Sequence, residues 1–353
     1  MSSSRIALQP GHTPETGSGW LQNPAHDLVM AFIWAPFAVA AHLAADDPEL
    51  LGQIVAATLL FSFAHQPLTL WLVYGDADQR RAGLSLFTWA PIGFTLAIAI
   101  GSSWQPEAVA VVAGVWNLIH TLRQRYGVSR LYGRLRAIDC ANDNRLLWSW
   151  LTLAVLVATA STDLTRTARD VGLGTAGTSA VDALNTISAV TVVVLPVGLA
   201  VATVLTARAV RAELTRETHS TPRIVYLAST AVLLGVLAIA PVTGFVAYVG
   251  GHAGEYLLMV RWRIGRTVTR ERAGDHVGAL ARRIGRDGTM AVYVVVVIAL
   301  MVGIRVTNGN AAVAVGALTL GALHLLYDGV IWRSRPPRHG ERPRQRPAGN
   351  PPL

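Results

Sequence analysis

Charged residues are scarce in this sequence, and lysine is absent. Only 14% of the 353 residues are charged, and all 30 basic residues are arginine. A soluble domain carries charge on about a quarter of its residues, so this composition excludes an ordinary soluble enzyme. A mean hydropathy of +0.41 with 52% hydrophobic residues instead predicts an integral membrane protein.

Cysteine occurs once, at Cys140, which excludes an intrachain disulfide and a thiolate metal cluster. The sequence also contains no Walker pattern and no HExxH motif. Any metal site must therefore use histidine, carboxylate or amide ligands.

Long apolar segments recur along residues 24–332 and predict an all-α, polytopic bundle of about ten transmembrane helices in one domain. The segment 1–23 and the Arg- and Pro-rich tail 333–353 predict disordered cytoplasmic ends. Only Ala240, Pro241 and Val242 separate the seventh predicted helix from the eighth. The ten predicted helices span residues 27–45, 50–74, 84–101, 106–126, 146–160, 184–208, 223–240, 243–262, 288–304 and 310–332.

Arginine clusters in alternate connections between these helices. The connections after the fourth, sixth and eighth helices are rich in arginine, whereas the opposite set has few arginines, with Arg305 alone in the ninth connection. The positive-inside rule then predicts cytoplasmic termini and even-numbered helices that run inward, in a multi-pass protein of the inner (plasma) membrane. Topology and anionic lipid account for the basic charge, so we expect no nucleic-acid partner.

Four histidines lie inside predicted spans at similar depth. His65, His120, His252 and His324 fall on the second, fourth, eighth and tenth helices, which run in the same direction. At about 1.5 Å per residue, three share one level and His252 lies roughly 8 Å higher. Single intramembrane histidines often serve only as interhelical hydrogen-bonding groups, but four at one depth favour a shared metal site.

Each histidine has a polar companion on its own helix, and those at i+3 or i+4 share its face. Neutral imidazoles with one or two carboxylates suit iron, zinc or copper. Glu255 and Asp328 would orient the histidines or complete the ligand shell, while His26, beside Asp27, could cap the first helix or add a fifth ligand. The residues expected to hydrogen-bond bound oxygen or substrate are Asn117, Gln124 and Tyr256.

The motifs NLIHTLRQRYG, GGHAGEYLLMV and LHLLYDGVIWR resemble those of a family of uncharacterised bacterial polytopic membrane proteins. More distantly, the layout is similar to the bacterial β-carotene 15,15′-dioxygenase family, which cleaves carotenoids with oxygen at a non-haem iron. His324-x-x-x-Asp328 is similar to that family's His-Gly-x-x-Asp, and His26-Asp27 echoes its Pro-His-Gly start. The family's paired histidines on one late helix are missing. The resemblance implies iron(II) held by His65, His120, His252 and His324.

Three classes of function stay open at this stage. The first is a non-haem iron oxygenase acting on a lipophilic, carotenoid- or lipid-like substrate. The second is a transporter or a proton- or ion-translocating protein that uses the same intramembrane residues. The third is a non-catalytic membrane scaffold. The expected partners are membrane lipids and a lipophilic small molecule.

Overall fold

We analysed a computed structural model that describes residues 19–161, 163, 166, 177–267, 275–307 and 310–331. The regular elements in these residues are helices, which confirms the predicted all-α class. The predicted disordered segment as far as residue 18 and the predicted tail 333–353 lie outside the described residues. The helices are α1 Pro24–Phe32, α2 Ala35–Leu43, α3 Pro48–Tyr74, α4 Ala77–Ala82, α5 Leu84–Trp104, α6 Pro106–Leu135, α7 Ala141–Ser161, α8 Gly177–Leu214, α9 Thr221–Ile239, α10 Pro241–Thr267, α11 His276–Val306 and α12 Ala311–Ile331.

Proline explains two of the helix boundaries. The first predicted helix is two helices, because Pro36 near the start of α2 has no N–H to continue the hydrogen bonding of α1. The predicted break between the seventh and eighth helices is present, with α9 ending at Ile239 and α10 beginning at Pro241. Proline fits this position because the first N–H groups of a helix have no intrahelical acceptor.

The α6 helix is longer than predicted and ends at Leu135 rather than near residue 126. Its last turns bury Val128, Ser129 and Tyr132. These side chains continue one buried face of the helix past the arginines that suggested its end. The charge pattern therefore located the boundary of the apolar segment and not the boundary of the helix.

Within the described residues, seven helical stretches are long and apolar enough to cross a membrane, so the chain is a multi-pass membrane protein. The helices α6, α7 and α10 are not among them because they are more polar. The seven stretches are Pro24–Leu43, Pro48–Tyr74, Leu84–Trp104, Thr186–Leu214, Thr221–Ile239, His276–Val306 and Ala311–Ile331.

The α10 helix occupies the centre of the bundle and contacts α1, α2, α3, α6, α9 and α11. Its glycines allow this close packing. A Cβ at Gly251 would lie 2.6 Å from the Cβ of Trp34 on the α1–α2 connection, closer than real carbon contacts allow. Small residues that let helix backbones approach closely are typical of membrane bundles. This packing fixes the neighbouring His252 in the interior.

Candidate metal centre

The four predicted histidines converge in the interior of the bundle. They are on α3, α6, α10 and α12, and none exposes more than 8% of its surface. The ring centroid of His65 lies 4.9 Å from that of His252 and 4.6 Å from that of His324. The ring of His120 lies 5.0 Å from each of the same two rings. We call these four imidazoles the histidine cluster.

Several ring nitrogens in the histidine cluster are buried without a hydrogen-bond partner among the described residues. They include both nitrogens of His252 and Nε2 of His120. A buried polar atom that makes no hydrogen bond costs free energy, so such atoms usually indicate a missing water, ion or ligand. Histidine nitrogen is also the commonest metal ligand in proteins. The unpartnered nitrogens therefore fit a bound transition metal.

Two overlapping sets of donor atoms have the spacing that a metal needs. Single ligand atoms of His65, His252 and His324 lie within 4.8 Å of one another, and so do single ligand atoms of His120, His324 and Asp328. The Nε2 atoms of His65 and His324 are 3.1 Å apart. Two nitrogens bound to one metal at about 2.1 Å lie roughly 3.0–3.4 Å apart in octahedral or tetrahedral geometry. The protein thus has buried His and Asp groups that could hold a metal ion.

Thr69, one helical turn after His65 on α3, links α3, α10 and α12 beside the histidine cluster. Its hydroxyl contacts the hydroxyl of Tyr256 and donates to Oδ1 of Asp328 at 3.0 Å. Tyr256 donates to the same Oδ1 at 2.9 Å. Nδ1 of His324 lies 2.6 Å from Oγ1 of Thr69, so Thr69 also joins His324 to this network.

This network orients two of the candidate ligands. With Nδ1 of His324 in contact with Thr69, its Nε2 faces His65 and is the nitrogen available to a metal. With Oδ1 of Asp328 held by two hydroxyl groups, its Oδ2 lies 3.7 Å from Nε2 of His120. Asp328 therefore belongs to a donor set and is held by Tyr256, while the predicted contact of Tyr256 with bound oxygen or substrate stays a prediction.

Glu255 has a different environment from the one expected of a metal ligand. Its Oε1 accepts a 2.6 Å hydrogen bond from Arg125, and its Oε2 accepts from Tyr226 at 2.9 Å and from Gln124 at 3.2 Å. Both Arg125 and Glu255 are fully buried. Although Glu255 is three residues after His252, its carboxylate neutralises a buried guanidinium and is in neither donor set of the described residues.

The other predicted site residues, Gln124, Asn117 and His26, lie in three different environments. Gln124 donates to the backbone carbonyl of His252 at 3.3 Å, so it ties α6 to α10. Asn117 is half-buried on α6, and its predicted contact with bound oxygen or substrate stays a prediction. His26 pairs with Asp27 at 3.2 Å at the start of α1 and belongs to neither donor set, while Asn23 caps that helix.

Cys140 lies between α6 and α7, outside the helices that carry the histidine cluster. Burial raises the pKa of its thiol to about 11. A thiol with this pKa stays protonated near neutral pH and is a poor metal ligand. The expectation of a centre without thiolate ligands agrees with this position.

A cleft of about 320 Å³ opens beside the histidine cluster, between α6, α10 and α12. His120, Tyr256 and Asp328 form its inner wall, and Trp116 and Trp262 contribute aromatic surface. Gly127 and Gly329 line it where it reaches the outer surface of the bundle. We call it the lateral cleft, and it makes the candidate centre accessible to a ligand.

Sequence analysis missed two residues that organise the site, Thr69 and Arg125. Thr69 lies four residues after His65, and this is the same spacing that relates Asp328 to His324. Arg125 lies at the arginine-rich end of the fourth predicted helix, and Thr121, Arg125 and Ser129 repeat every four residues and are all buried. This polar stripe on α6 was the available signal.

Comparisons of the chain with protein-family models, with curated proteins and with solved structures found no match. The chemistry of the site is therefore derived from its own residues.

Proposed function

We propose that this protein is an integral membrane metalloenzyme, a non-haem iron oxygenase acting on a lipophilic, carotenoid- or lipid-like substrate. In this proposal the chain crosses the inner membrane ten times with both termini in the cytoplasm. The observation that carries it is the donor set of His120, His324 and Asp328, of which His120 and Asp328 line the lateral cleft. Two histidines and one carboxylate are the typical ligands of non-haem iron(II) oxygenases.

The residues around the centre have separate tasks in this proposal. His120, His324 and Asp328 would hold the iron, with His65 and His252 as further imidazole donors. Thr69 and Tyr256 keep the Asp328 carboxylate in one orientation by hydrogen bonds to Oδ1. The buried position excludes bulk water, and the lateral cleft admits a substrate from the membrane. Bound iron would supply the redox chemistry that activates oxygen.

The resemblance to the bacterial β-carotene 15,15′-dioxygenase family supports the same reaction class. It rests on the His324-x-x-x-Asp328 motif, whose two side chains fall in one donor set. The missing paired histidines leave the substrate open between carotenoids and other lipids.

A second candidate function is proton translocation. It is favoured by a row of hydrogen-bonded side chains that runs from Tyr256 through Asp328, Thr69 and His324 to His65. Such rows of titratable and hydroxyl groups occur in the proton paths of membrane pumps.

Metal content separates the two candidates. We would express the protein with iron supplied, purify it in detergent without chelator, and measure iron, zinc and copper per chain by mass spectrometry. We expect stoichiometric iron in the wild type and a sharp loss in His120→Ala. Asp328→Asn should weaken metal binding by at least about 10-fold, because the amide carries no charge.

The matched control is Asp27→Asn, which makes the same change at a buried carboxylate outside both donor sets. It should leave the metal content unchanged. Wild type that is consistently free of metal would overturn the oxygenase proposal. If such protein carried pH-driven proton flux in liposomes that Asp328→Asn abolished, the proton path would replace it, because an amide cannot exchange the proton.

A further inference from the structure

The lateral cleft combines an apolar interior with a basic mouth. One face of α6 lines its length, and the residues on that face follow a helical spacing from Trp116 through His120 to Arg134. Apart from Asp328 at the inner end, the walls formed by α10 and α12 are apolar or aromatic, with Met259, Trp262 and Leu325 in the lining. Among the described lining residues the basic ones are all on α6, namely Arg123, Arg130 and Arg134.

Arg123 lies within one helical turn of His120, whereas Arg130 and Arg134 lie further along α6 and form the mouth. All three side chains are exposed, and among the described residues no carboxylate forms an ion pair with any of them, so these guanidinium groups are available to an anion. Arg130 lies over the ring of Tyr126, with 5.6 Å between its guanidinium carbon and the ring centroid. Stacking on an aromatic ring restricts the guanidinium while leaving its N–H groups able to donate.

A second observation indicates that the interior of the cleft receives a ligand. His120 is more than nine-tenths buried, lines the cleft, and has an Nε2 without a hydrogen-bond partner among the described residues. Gln124, also in the lining, has an unpartnered Oε1. The cleft thus contains unsatisfied polar atoms at its inner end, beside the candidate metal centre.

We infer that the lateral cleft binds a long-chain amphiphile with a terminal anionic group, a carboxylate or a phosphate monoester, as the substrate of the centre. Arg130 and Arg134 bind the anion, and the apolar chain lies along the cleft towards His120. This inference rests on the proposed function, since it treats the cleft as the path to the metal.

The helix geometry sets which part of the chain reaches the centre. Arg130 and Arg134 are 10 and 14 residues after His120, which is about 15–21 Å along the helix axis. A headgroup held there places carbons far along the chain, rather than those next to the headgroup, beside His120 and Asp328. A substrate without a charged end would lack this positioning.

The experiment uses full-length protein in nanodiscs of phosphatidylcholine and a photoactivatable oleate that carries a diazirine on its distal half. We expect saturable labelling on peptides of α6 and α12 that line the cleft. Excess oleate or oleyl phosphate should compete, whereas oleyl alcohol and inorganic phosphate should not. Competition by both anionic amphiphiles would identify the shared anionic end as the recognised feature, and preference for one would identify the headgroup.

Variants test the cleft and its mouth separately. A Cβ at Gly127 meets no atom within 4 Å, so the side chain of Gly127→Leu would occupy the cleft without disturbing the helix. It should abolish the labelling. Gly114→Leu, also on α6 with open space at its Cβ and outside the cleft lining, is the matched control and should keep it. Arg130→Gln and Arg134→Gln should each weaken binding by about 2–5-fold, as expected for exposed charge pairs.

Three results would overturn the inference and indicate that the probe labels from bulk lipid. They are equal labelling by the corresponding neutral diazirine alcohol, unchanged labelling of the Gly127→Leu variant, and labelling spread over all lipid-facing helices. Metal content is measured on the same samples. Specific labelling of metal-free wild type would reject the oxygenase proposal while keeping the anionic ligand. Metal-loaded protein without specific labelling would reject only the ligand.

Discussion

Thr69 shows how one uncharged residue can determine the geometry of the candidate centre. Its hydroxyl is within hydrogen-bond distance of His324, Tyr256 and Asp328, which belong to two other helices. Partners of this kind fix the tautomer and ring orientation of a histidine ligand, and their loss typically lowers metal affinity about 10–100-fold.

We therefore predict that Thr69→Val, which keeps the shape but removes the hydroxyl, weakens iron binding by about 10–100-fold. The measurement is metal retained per chain during titration with a chelator. Thr319→Val is the control, because Thr319 is buried on α12 and its Oγ1 has no partner among the described residues. Equal metal retention in both variants would show that the Thr69 network does not support the centre.

The positions of the histidines were predictable from the sequence, but the environments of their companions were not. Depth and helix direction were sufficient to bring His65, His120, His252 and His324 together. Asp328 lies at the cluster, whereas Glu255, which has an equivalent spacing on its helix, faces Arg125. Spacing within one helix defines which side chains share a face, but the partner of that face depends on how the neighbouring helix is rotated.

At the scale of the helices, the Arg125 and Glu255 pair joins α6 to α10. Arg125 also donates to Thr230 on α9 at 3.0 Å, so the pair connects three helices. A buried ion pair contributes little net stability compared with apolar side chains, but removal of one partner leaves an uncompensated buried charge that costs about 3–5 kcal/mol.

We predict that Arg125→Met and Glu255→Gln each lower the free energy of unfolding by about 3–5 kcal/mol. The double variant Arg125→Met with Glu255→Met should recover more than half of the stability that a single substitution removes. Unfolding would be followed by circular dichroism during titration with sodium dodecyl sulfate. Metal bound per folded chain should stay near the wild-type value in Glu255→Gln. A metal loss as large as that of Asp328→Asn would return Glu255 to the ligand shell.

The helices themselves were largely predictable, because apolar length and proline are local signals. Their order and the break at Pro241 follow the prediction, whereas the separation of α1 from α2 and the end of α6 do not. The α1–α2 break follows from Pro36, a local signal inside the first apolar segment, whereas the end of α6 depends on contacts that the sequence pattern does not contain. The last turns of α6 persist because Val128 and Tyr132 are buried against other helices.

The number of membrane spans in the whole molecule depends in part on two helices of the candidate site, α6 and α10, which are too polar to be among the seven apolar stretches. His120 and Arg125 lie on α6, and His252 and Glu255 lie on α10. With 30 and 27 residues, these helices are about 45 and 40 Å long, enough to cross a hydrocarbon core of about 30 Å. Polar residues are tolerated in a span when they face the bundle interior, as the buried ones here do.

Reporter fusions can distinguish ten spans from seven, because the two counts place the same connections on different sides. With ten spans, reporters at Arg145, Arg216 and Arg283 should all be cytoplasmic, and so should both termini. If α6, α7 and α10 did not cross, Arg216 would be on the opposite side from Arg145 and Arg283, and the termini would be on opposite sides, whichever side the N-terminus occupied.

We predict the ten-span pattern, because it places every arginine-rich connection in the cytoplasm and lets α3, α6, α10 and α12 run in the same direction with their histidines at similar depth. The measurement pairs a reporter active only in the cytoplasm with one active only outside it, at each of the three arginines. A fusion at Arg305, in the connection opposite to these, is the control and should report the outside. An outside signal at both Arg145 and Arg283 with a cytoplasmic signal at Arg216 would establish seven spans and reject this topology.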